Sequence, residues 1–104
     1  MSDKISINLS SPALVSQIVD LSKENLISFQ KTLRKILQLS WNQLYQDSGL
    51  KWEEITSMPD IVLGNKKYRP YSLRLNQKFR AVAIRKENDM VFVSLHPDHD
   101  SAYK

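Results

Sequence analysis

The sequence predicts an α+β fold, with a short N-terminal strand and two to three helices packed on one face of a C-terminal antiparallel sheet. Two patterns lead to this class. Apolar residues recur at helical spacing up to about residue 47, and from Tyr71 onward they alternate with polar residues, as in half-buried strands. The length of 104 residues is that of one domain, so we expect a single domain over residues 1–104.

The chain begins with a strand and continues into a helix. Ile5, Ile7 and Leu9 alternate with polar residues, which predicts the strand. Ser11 followed by Pro12 favours a helix start, because serine can cap free backbone N–H groups and proline at the first helical position loses no hydrogen bond. We therefore expect the first helix over about residues 12–21.

A second helix is predicted over about residues 23–38, after Ser22. Its apolar residues share one face: Leu26, Phe29, Leu33, Ile36 and Leu37. Residues 40–47 add a helical turn or two that ends near Gly49, since glycine accepts the left-handed conformation common after a helix. The large rings of this region are predicted to pack together with Leu44 as one aromatic cluster, formed by Trp41, Leu44, Tyr45 and Trp52.

The second half contains the predicted sheet. Pro59 and Pro70 interrupt residues 51–70, and Gly64-Asn65 marks a turn, so we expect a loop or an irregular edge strand there. Strands over about 71–75, 78–85 and 90–96 then form a three-stranded meander. Its middle strand is apolar on both faces, which suits a central position. One face would carry the helices, and Arg80 would point into a shallow groove on the other.

Positive charge is concentrated in this second half. Residues 1–60 hold six Lys and Arg against seven acids, a net charge of −1, whereas residues 61–104 hold nine against four, a net charge of +5. The stretch from residue 66 to residue 86 has no acid and eight basic residues: Lys66, Lys67, Arg69, Arg74, Lys78, Arg80, Arg85 and Lys86. Such a density attracts polyanions, although a basic surface can also serve solubility alone.

Several classes of protein find no support. The chain has no cysteine, which argues against disulfide frameworks and cysteine-ligated zinc and fits the reducing cytoplasm, where we expect the protein. No apolar run approaches the roughly 20 residues of a membrane span, and no targeting segment is recognisable, so we expect no membrane association. No phosphate-binding glycine loop or nucleophile elbow suggests nucleotide hydrolysis or acyl transfer.

The densest polar cluster follows the last predicted strand, from His96 to Tyr103, and contains both histidines. It can be interpreted as a metal site, an acid/base pair, a partner-binding tail or a solvated terminus. The set His96, Asp98, His99 and Asp100 matches no metal-ligand spacing, so we expect neither a metal nor another cofactor. Histidine suits acid/base work because it titrates near neutrality. A strand arginine beside it, Arg80 or Arg74, would supply the positive charge that cleavage of RNA by its own 2′-hydroxyl needs.

The C-terminal part of the chain resembles a known family. The pattern Y-S-L-R-L, a short turn, F-R-A-V, a further strand ending in histidine and then a tyrosine runs from Tyr71 to Tyr103. It resembles the RelE/ParE superfamily of toxins from type II toxin–antitoxin systems, and in particular mRNA interferases of the RelE, HigB and YoeB type. The helical half matches in layout only. The resemblance implies a RelE-like fold over residues 1–104.

The resemblance also implies an activity, namely a toxin that acts as a metal-independent endoribonuclease and cuts mRNA on the ribosome by 2′-hydroxyl attack. Arg80 would stabilise the phosphate, His96 or His99 would transfer protons, and Tyr103 would position or stack on the substrate. Basic residues of the second half would bind RNA: Lys66, Lys67, Arg69, Arg74, Lys78 and Arg85. The expected partners are mRNA, the ribosome and a cognate antitoxin protein.

Two other functions remain open. Some members of the superfamily inhibit DNA gyrase without cutting RNA, and the chain could also be an interaction domain with a silent site. The two histidines and Tyr103 favour RNA cleavage, because the gyrase inhibitors tend to lack a full acid/base set. Fold resemblance alone does not decide between these functions.

Overall fold

The computed structural model describes residues 4–97. Its elements follow in the order β1 (Ser6–Asn8), α1 (Pro12–Val19), α2 (Lys23–Leu37), α3 (Trp41–Tyr45), β2 (Glu53–Glu54), β3 (Ile61–Leu63), β4 (Lys66–Tyr68), β5 (Tyr71–Arg74), β6 (Arg80–Lys86) and β7 (Asp89–His96). In this part of the chain, three helices accompany a five-stranded sheet and a two-stranded sheet. The predicted α+β class is confirmed.

The helices begin where the sequence predicts, for local chemical reasons. Ser22 caps α2, its side chain accepting the backbone N–H of Asn25, and Ser40 forms a capping box with Gln43 at the start of α3. Ser11 stands at the cap position of α1, but its side chain makes no capping hydrogen bond. The first helix therefore owes its start to Pro12, whose fixed φ suits the first turn.

The main sheet has the strand order β1-β7-β6-β5-β2. Strands β5, β6 and β7 form the predicted antiparallel meander, with β6 at the centre. The sheet is mixed rather than purely antiparallel, because β1 pairs in parallel with residues 89–91 of β7. This pairing covers only the first part of β7, so the outer edge of its second part has no neighbouring strand among residues 4–97.

Strand β7 contains one residue more than its partner. Val82 of β6 lies opposite Ser94 while Ala83 lies opposite Phe92, so the register skips Val93. An extra residue of this kind is a β-bulge, which bends a strand and shifts its alternation. Phe92 and Leu95 consequently both face the core although they are three residues apart.

Residues 51–70 are more ordered than the sequence suggests. Strand β2 is the predicted edge strand, and β3 and β4 form a hairpin that the residue pattern did not predict. Gly64 at its tip has a φ of +61°, a left-handed conformation in which other residues are strained. The turn signal was therefore correct, but the strands beside it were missed.

Arg69 fastens this hairpin to the edge of the sheet. Its Nε donates to Glu54 at 2.9 Å, and its Nη1 donates to the Asp60 carboxylate at 2.7 Å and to the Met58 carbonyl at 3.0 Å. Its Nη2 donates to the Ile55 carbonyl at 2.8 Å. Four acceptors around one planar guanidinium fix the chain between β2 and β5.

The two faces of the sheet are covered differently. The helices and one face enclose the main core, in which Phe29 of α2 meets Phe92 of β7 edge to face with ring centroids 5.9 Å apart. Val82 and Ile84 of β6 are also fully buried, but they lie outside that core. Because β4 contacts β6, we infer that the hairpin of β3 and β4 covers the end of the sheet's second face, opposite the helices, where Val82 and Ile84 lie. Across residues 4–97, no helix is both long and apolar enough to cross a bilayer.

Candidate active site

Three polar residues form a row across the second face of the sheet, beyond the end that the hairpin covers. Arg74 on β5 is the register partner of Arg80 on β6, and Arg80 is in turn the partner of His96 on β7. Register partners point to the same face, with Cβ atoms about 4.5–5.5 Å apart. Ala81 belongs to the helix-side core, so alternation places Arg80 and its partners on the opposite face. We call Arg74, Arg80 and His96 the polar row.

The turn between β5 and β6 holds the guanidinium of Arg80. Its Nη1 donates to the carbonyl oxygens of Asn76 at 2.7 Å, Gln77 at 3.3 Å and Phe79 at 3.3 Å. The Asn76 side chain fixes the turn itself by accepting the backbone N–H groups of Lys78 and Phe79, each at 3.0 Å. Within residues 4–97, every hydrogen bond of Arg80 comes from Nη1. Its Nε and Nη2 groups therefore remain able to donate to an anion.

His96 is a half-buried imidazole at the end of β7. Burial disfavours the charged ring and lowers the pKa of His96 below its ordinary value of 6.5. The ring is therefore mainly neutral at neutral pH, the state in which it can accept a proton. Ser94, two residues earlier and on the same face, places its Oγ 2.8 Å from Nε2 of His96. This contact holds the ring in one orientation.

Gln17 of α1 secures the part of β7 that carries His96. Its side-chain Oε1 accepts the backbone N–H of Leu95 at 2.9 Å, and its Nε2 donates to the backbone carbonyl of Leu95 at 3.2 Å. These backbone groups belong to the edge of β7 that β1 leaves uncovered. The Gln17 side chain therefore makes the hydrogen bonds to Leu95 that a neighbouring strand would otherwise make.

The predicted RNA-binding lysines lie on the turn between β5 and β6 and on the hairpin of β3 and β4. Lys78 is exposed in the turn that holds Arg80, while Lys66 and Lys67 are exposed on the hairpin over the other end of the same face. Arg74 is part of the row itself. Four of the six predicted RNA contacts are thus associated with this face of the sheet or its borders.

Arg69, by contrast, is not available to RNA in the same way. Its guanidinium is taken up by Asp60 and Glu54, and the hydrogen bonds to these two carboxylates raise the pKa of Arg69 above its ordinary value. The structure assigns Arg69 to holding the hairpin.

Arg85 lies on the other face of the sheet. It is five positions after Arg80 in β6, and an odd number of positions along a regular strand reverses the side. Its guanidinium stacks over Trp41, 4.5 Å from the ring centroid, and donates to the Tyr45 hydroxyl at 2.6 Å. Trp41 also contacts Trp52, with centroids 5.4 Å apart, so the predicted aromatic cluster is confirmed and Arg85 belongs to it.

The remaining predicted site residues, His99 and Tyr103, lie outside the described residues, as do Asp98 and Asp100. Within residues 4–97, no three His, Asp or Glu side chains are grouped so that they could hold a metal ion. Ser94 and Gln17 were missed by sequence reasoning. Ser94 could have been found from its spacing of two from His96 in a strand, whereas nothing local marks Gln17 as a partner of Leu95.

Comparisons of the chain with protein-family models, with curated proteins and with solved structures found no match. Function is therefore inferred from the geometry of the polar row and its surroundings.

Proposed function

We propose that the protein is a metal-independent endoribonuclease that cleaves mRNA and acts as the toxin of a toxin–antitoxin module. The observation that supports this function best is the register pairing of Arg80 with His96 on the sheet. The pair combines a cationic hydrogen-bond donor with a neutral imidazole, and these are the two groups that transfer of a phosphodiester to a neighbouring hydroxyl requires.

In the proposed reaction, His96 takes the proton of an RNA 2′-hydroxyl as that oxygen attacks the adjacent phosphorus. The bond from phosphorus to the 5′-oxygen breaks, which leaves one RNA end with a 2′,3′-cyclic phosphate and the other with a 5′-hydroxyl. Arg80 donates from Nε and Nη2 to the non-bridging phosphate oxygens, where negative charge grows in the transition state. The leaving 5′-oxygen takes a proton from His99 or Tyr103, roles that rest on the sequence resemblance.

Affinity for RNA comes from the basic residues near the polar row. Arg74, Lys78, Lys66 and Lys67 would contact successive phosphates of a single strand along this face. Each neutralised phosphate releases a counterion, so the logarithm of the binding constant should fall by about 0.7 for each tenfold rise in salt per contact. Single-stranded RNA is the expected substrate, because unpaired bases can be splayed out and hydrogen-bonded along their edges.

The assignment to a RelE-like toxin adds biological context to this chemistry. The order of a short strand, helices and then a meander with arginine in its middle strand is the layout that the resemblance implies. On that basis we infer that the protein acts in the cytoplasm on mRNA in the ribosome and is held inactive by a cognate antitoxin protein. An acidic antitoxin segment would complement the charge of the second half of the chain.

The test compares wild type with Arg80→Lys and His96→Gln in cells and in solution. On induction, wild type should stop growth and produce cleaved transcripts, and the purified protein should cut RNA in the presence of ribosomes to give cyclic-phosphate ends. Loss of an acid/base group lowers a rate by about 10²- to 10⁴-fold, so His96→Gln should fall by at least ~10²-fold. Replacing the scissile ribose by deoxyribose should abolish cleavage, since the attacking oxygen is removed.

Arg34→Ala is the matched control. Arg34 is exposed on α2, on the helix side of the molecule, so its loss removes one positive charge without touching the polar row. It should cleave like wild type, and circular dichroism should show that all variants remain folded. Growth arrest with intact transcripts would instead support inhibition of gyrase, and full activity of His96→Gln would refute the proposed chemistry.

A further inference from the structure

A cleft of about 420 Å³ lies between the start of α2 and the turn that joins β5 to β6. Its volume lies within the roughly 300–1,000 Å³ typical of small-ligand sites. Asn25 and Glu24 contribute from α2, Gln77 and Lys78 contribute from the turn, and Pro97 closes one side. We call this space the amide cleft, because carboxamide side chains line it from both walls.

The amide cleft and the polar row share structural parts. Pro97, which lines the cleft, directly follows His96 of the row. Gln77, which also lines it, offers its backbone carbonyl to the guanidinium of Arg80, as does Asn76 beside it. A nucleotide whose phosphate is bound by Arg80 would therefore have its neighbour within reach of the cleft.

One amide of the cleft is structural and orders the others. Asn76 donates from Nδ2 to the side-chain oxygen of Asn25 at 3.2 Å and to the hydroxyl of Ser28 at 3.0 Å. Its own side-chain oxygen accepts two backbone N–H groups of the turn, so its hydrogen-bonding capacity is used. Through Asn25, this residue locks the two walls of the cleft together across 51 residues of sequence.

Two other amides remain for a ligand. The Nδ2 group of Asn25 and the whole side-chain amide of Gln77 have no protein partner within the described chain, 4–97. Amide donors and acceptors match the edges of nucleobases, which unpaired RNA exposes. The Glu24 carboxylate on the same wall disfavours a phosphate in the cleft, while the Pro97 ring offers apolar contact. Because the charges of Glu24 and Lys78 offset each other in the lining, these features favour a planar, hydrogen-bonding group.

We propose that the amide cleft binds the base of the nucleotide next to the scissile phosphate and thereby sets the sequence preference of cleavage. This inference rests on the proposed ribonuclease function and adds a recognition site to it. Gln77 and Asn25 read the base edge, and Lys78, at the rim, contacts a flanking phosphate. Asn76 acts as a positioning residue that holds Asn25.

The first measurement is the sequence preference of cleavage on a pool of single-stranded RNAs with random sequence, read from the 5′-hydroxyl ends. The variants are Gln77→Leu, which removes the free amide, and Asn25→Asp, which keeps the oxygen that accepts from Asn76 but replaces the free donor with a charged acceptor, so its result is read as the ratio of cleavage at preferred and other sequences. A hydrogen-bonded base contact is worth a factor of about 5- to 150-fold in discrimination. Cleavage at the preferred sequence should fall by that factor, while cleavage at other sequences stays unchanged.

Gln30→Leu is the control for this series, because Gln30 is an exposed amide on α2 that does not line the cleft. The sequence preference of RNA cleavage by Gln30→Leu should equal that of wild type. An unchanged preference in both Gln77→Leu and Asn25→Asp would overturn the inference and leave the ribonuclease proposal standing.

A second measurement does not need catalysis. The four ribonucleoside 3′-monophosphates are titrated into the wild-type protein and into His96→Gln, and the side-chain NH₂ signals of Asn25 and Gln77 are followed by NMR. Base-dependent shifts of both signals are expected. Shifts confined to the polar row would overturn the cleft as a base site, and shifts in a protein that cuts no RNA would refute the proposed function while retaining a nucleotide site.

Discussion

Gln17 provides a sharp test of how the end of β7 is held. Its side-chain amide makes two hydrogen bonds to the backbone of Leu95. Within residues 4–97, these are the only hydrogen bonds between α1 and the edge of β7 that β1 leaves uncovered. Gln17→Met keeps a side chain of similar length but removes both hydrogen bonds. The backbone N–H and carbonyl of Leu95 then lose their partners next to His96.

The cost can be worked from those two bonds. A neutral hydrogen bond contributes about 0.5–1.5 kcal/mol to stability, so two contribute about 1–3 kcal/mol. Gln17 is only half-buried, and water can replace part of the loss. We therefore expect the lower part of the range, about 1–2 kcal/mol, which in a domain of this size lowers Tm by roughly 5–15 °C.

Urea denaturation followed by circular dichroism gives the free energy of unfolding, and hydrogen exchange reports on the single amide of Leu95. Exchange at Leu95 should accelerate by about 5- to 30-fold, since 1.36 kcal/mol corresponds to a factor of ten. Amides in the ladder between β5 and β6 should change only by the global loss. RNA cleavage should also fall, because the strand end that positions His96 becomes less rigid.

Gln17→Glu keeps an acceptor for the Leu95 N–H but replaces the donor to the Leu95 carbonyl with an oxygen, which repels that carbonyl. It should be less stable than wild type. Wild-type stability together with unchanged exchange at Leu95 in Gln17→Met would show that α1 packing alone secures β7, and the reasoning would be refuted.

Three further predictions follow from the same structure. Arg69→Lys should lower Tm and expose residues 61–68 to limited proteolysis, because an ammonium cannot reach the four acceptors around the guanidinium. A proteolysis pattern like that of wild type would contradict the role of Arg69. Phe92→Ala should reduce the free energy of unfolding in urea by about 3–5 kcal/mol, since it empties a buried site and removes an edge-to-face contact, and a loss under ~1 kcal/mol would be inconsistent with that burial. The lowered pKa of His96 means that the unfolded chain binds more protons than the folded one below the ordinary pKa of 6.5, so stability is complete above that pH and falls as the pH drops through it. His96→Gln should therefore lose less Tm than wild type between about pH 8 and about pH 5, and equal losses would rule out this contribution.

The secondary structure that depends on local signals could be predicted from the sequence. Ser22, Pro12 and the capping box at Ser40 act within three residues of their own position, and the helices begin there. The hairpin of β3 and β4 has a turn signal at Gly64 but none for its strands, since Val62 and Lys67 are exposed and no apolar alternation marks them. It is held instead by Arg69, whose acceptors depend on the tertiary fold.

The candidate site could be predicted only where it depends on local signals. Alternation along β6 carries Arg80 to the face opposite the core, and the same alternation should already have separated Arg85 from it, a step that the charge pattern obscured. Predicting the pair of Arg80 and His96 requires knowing that the register of β7 skips Val93, which no local sequence signal marks. The contribution of Gln17 joins residues 78 positions apart and has no trace in either local sequence.

Deletion of the extra residue Val93 would alter the shape of this surface without altering its strand pairing. A strand from which Val93 is deleted would keep every cross-strand partner of β6, because Phe92 and Ser94 already pair with adjacent residues, Ala83 and Val82. What would change is the local coiling of the strand, which a bulge increases. Loss of this one residue would therefore change the direction of the His96 imidazole. The other side chains and their cross-strand partners would stay the same.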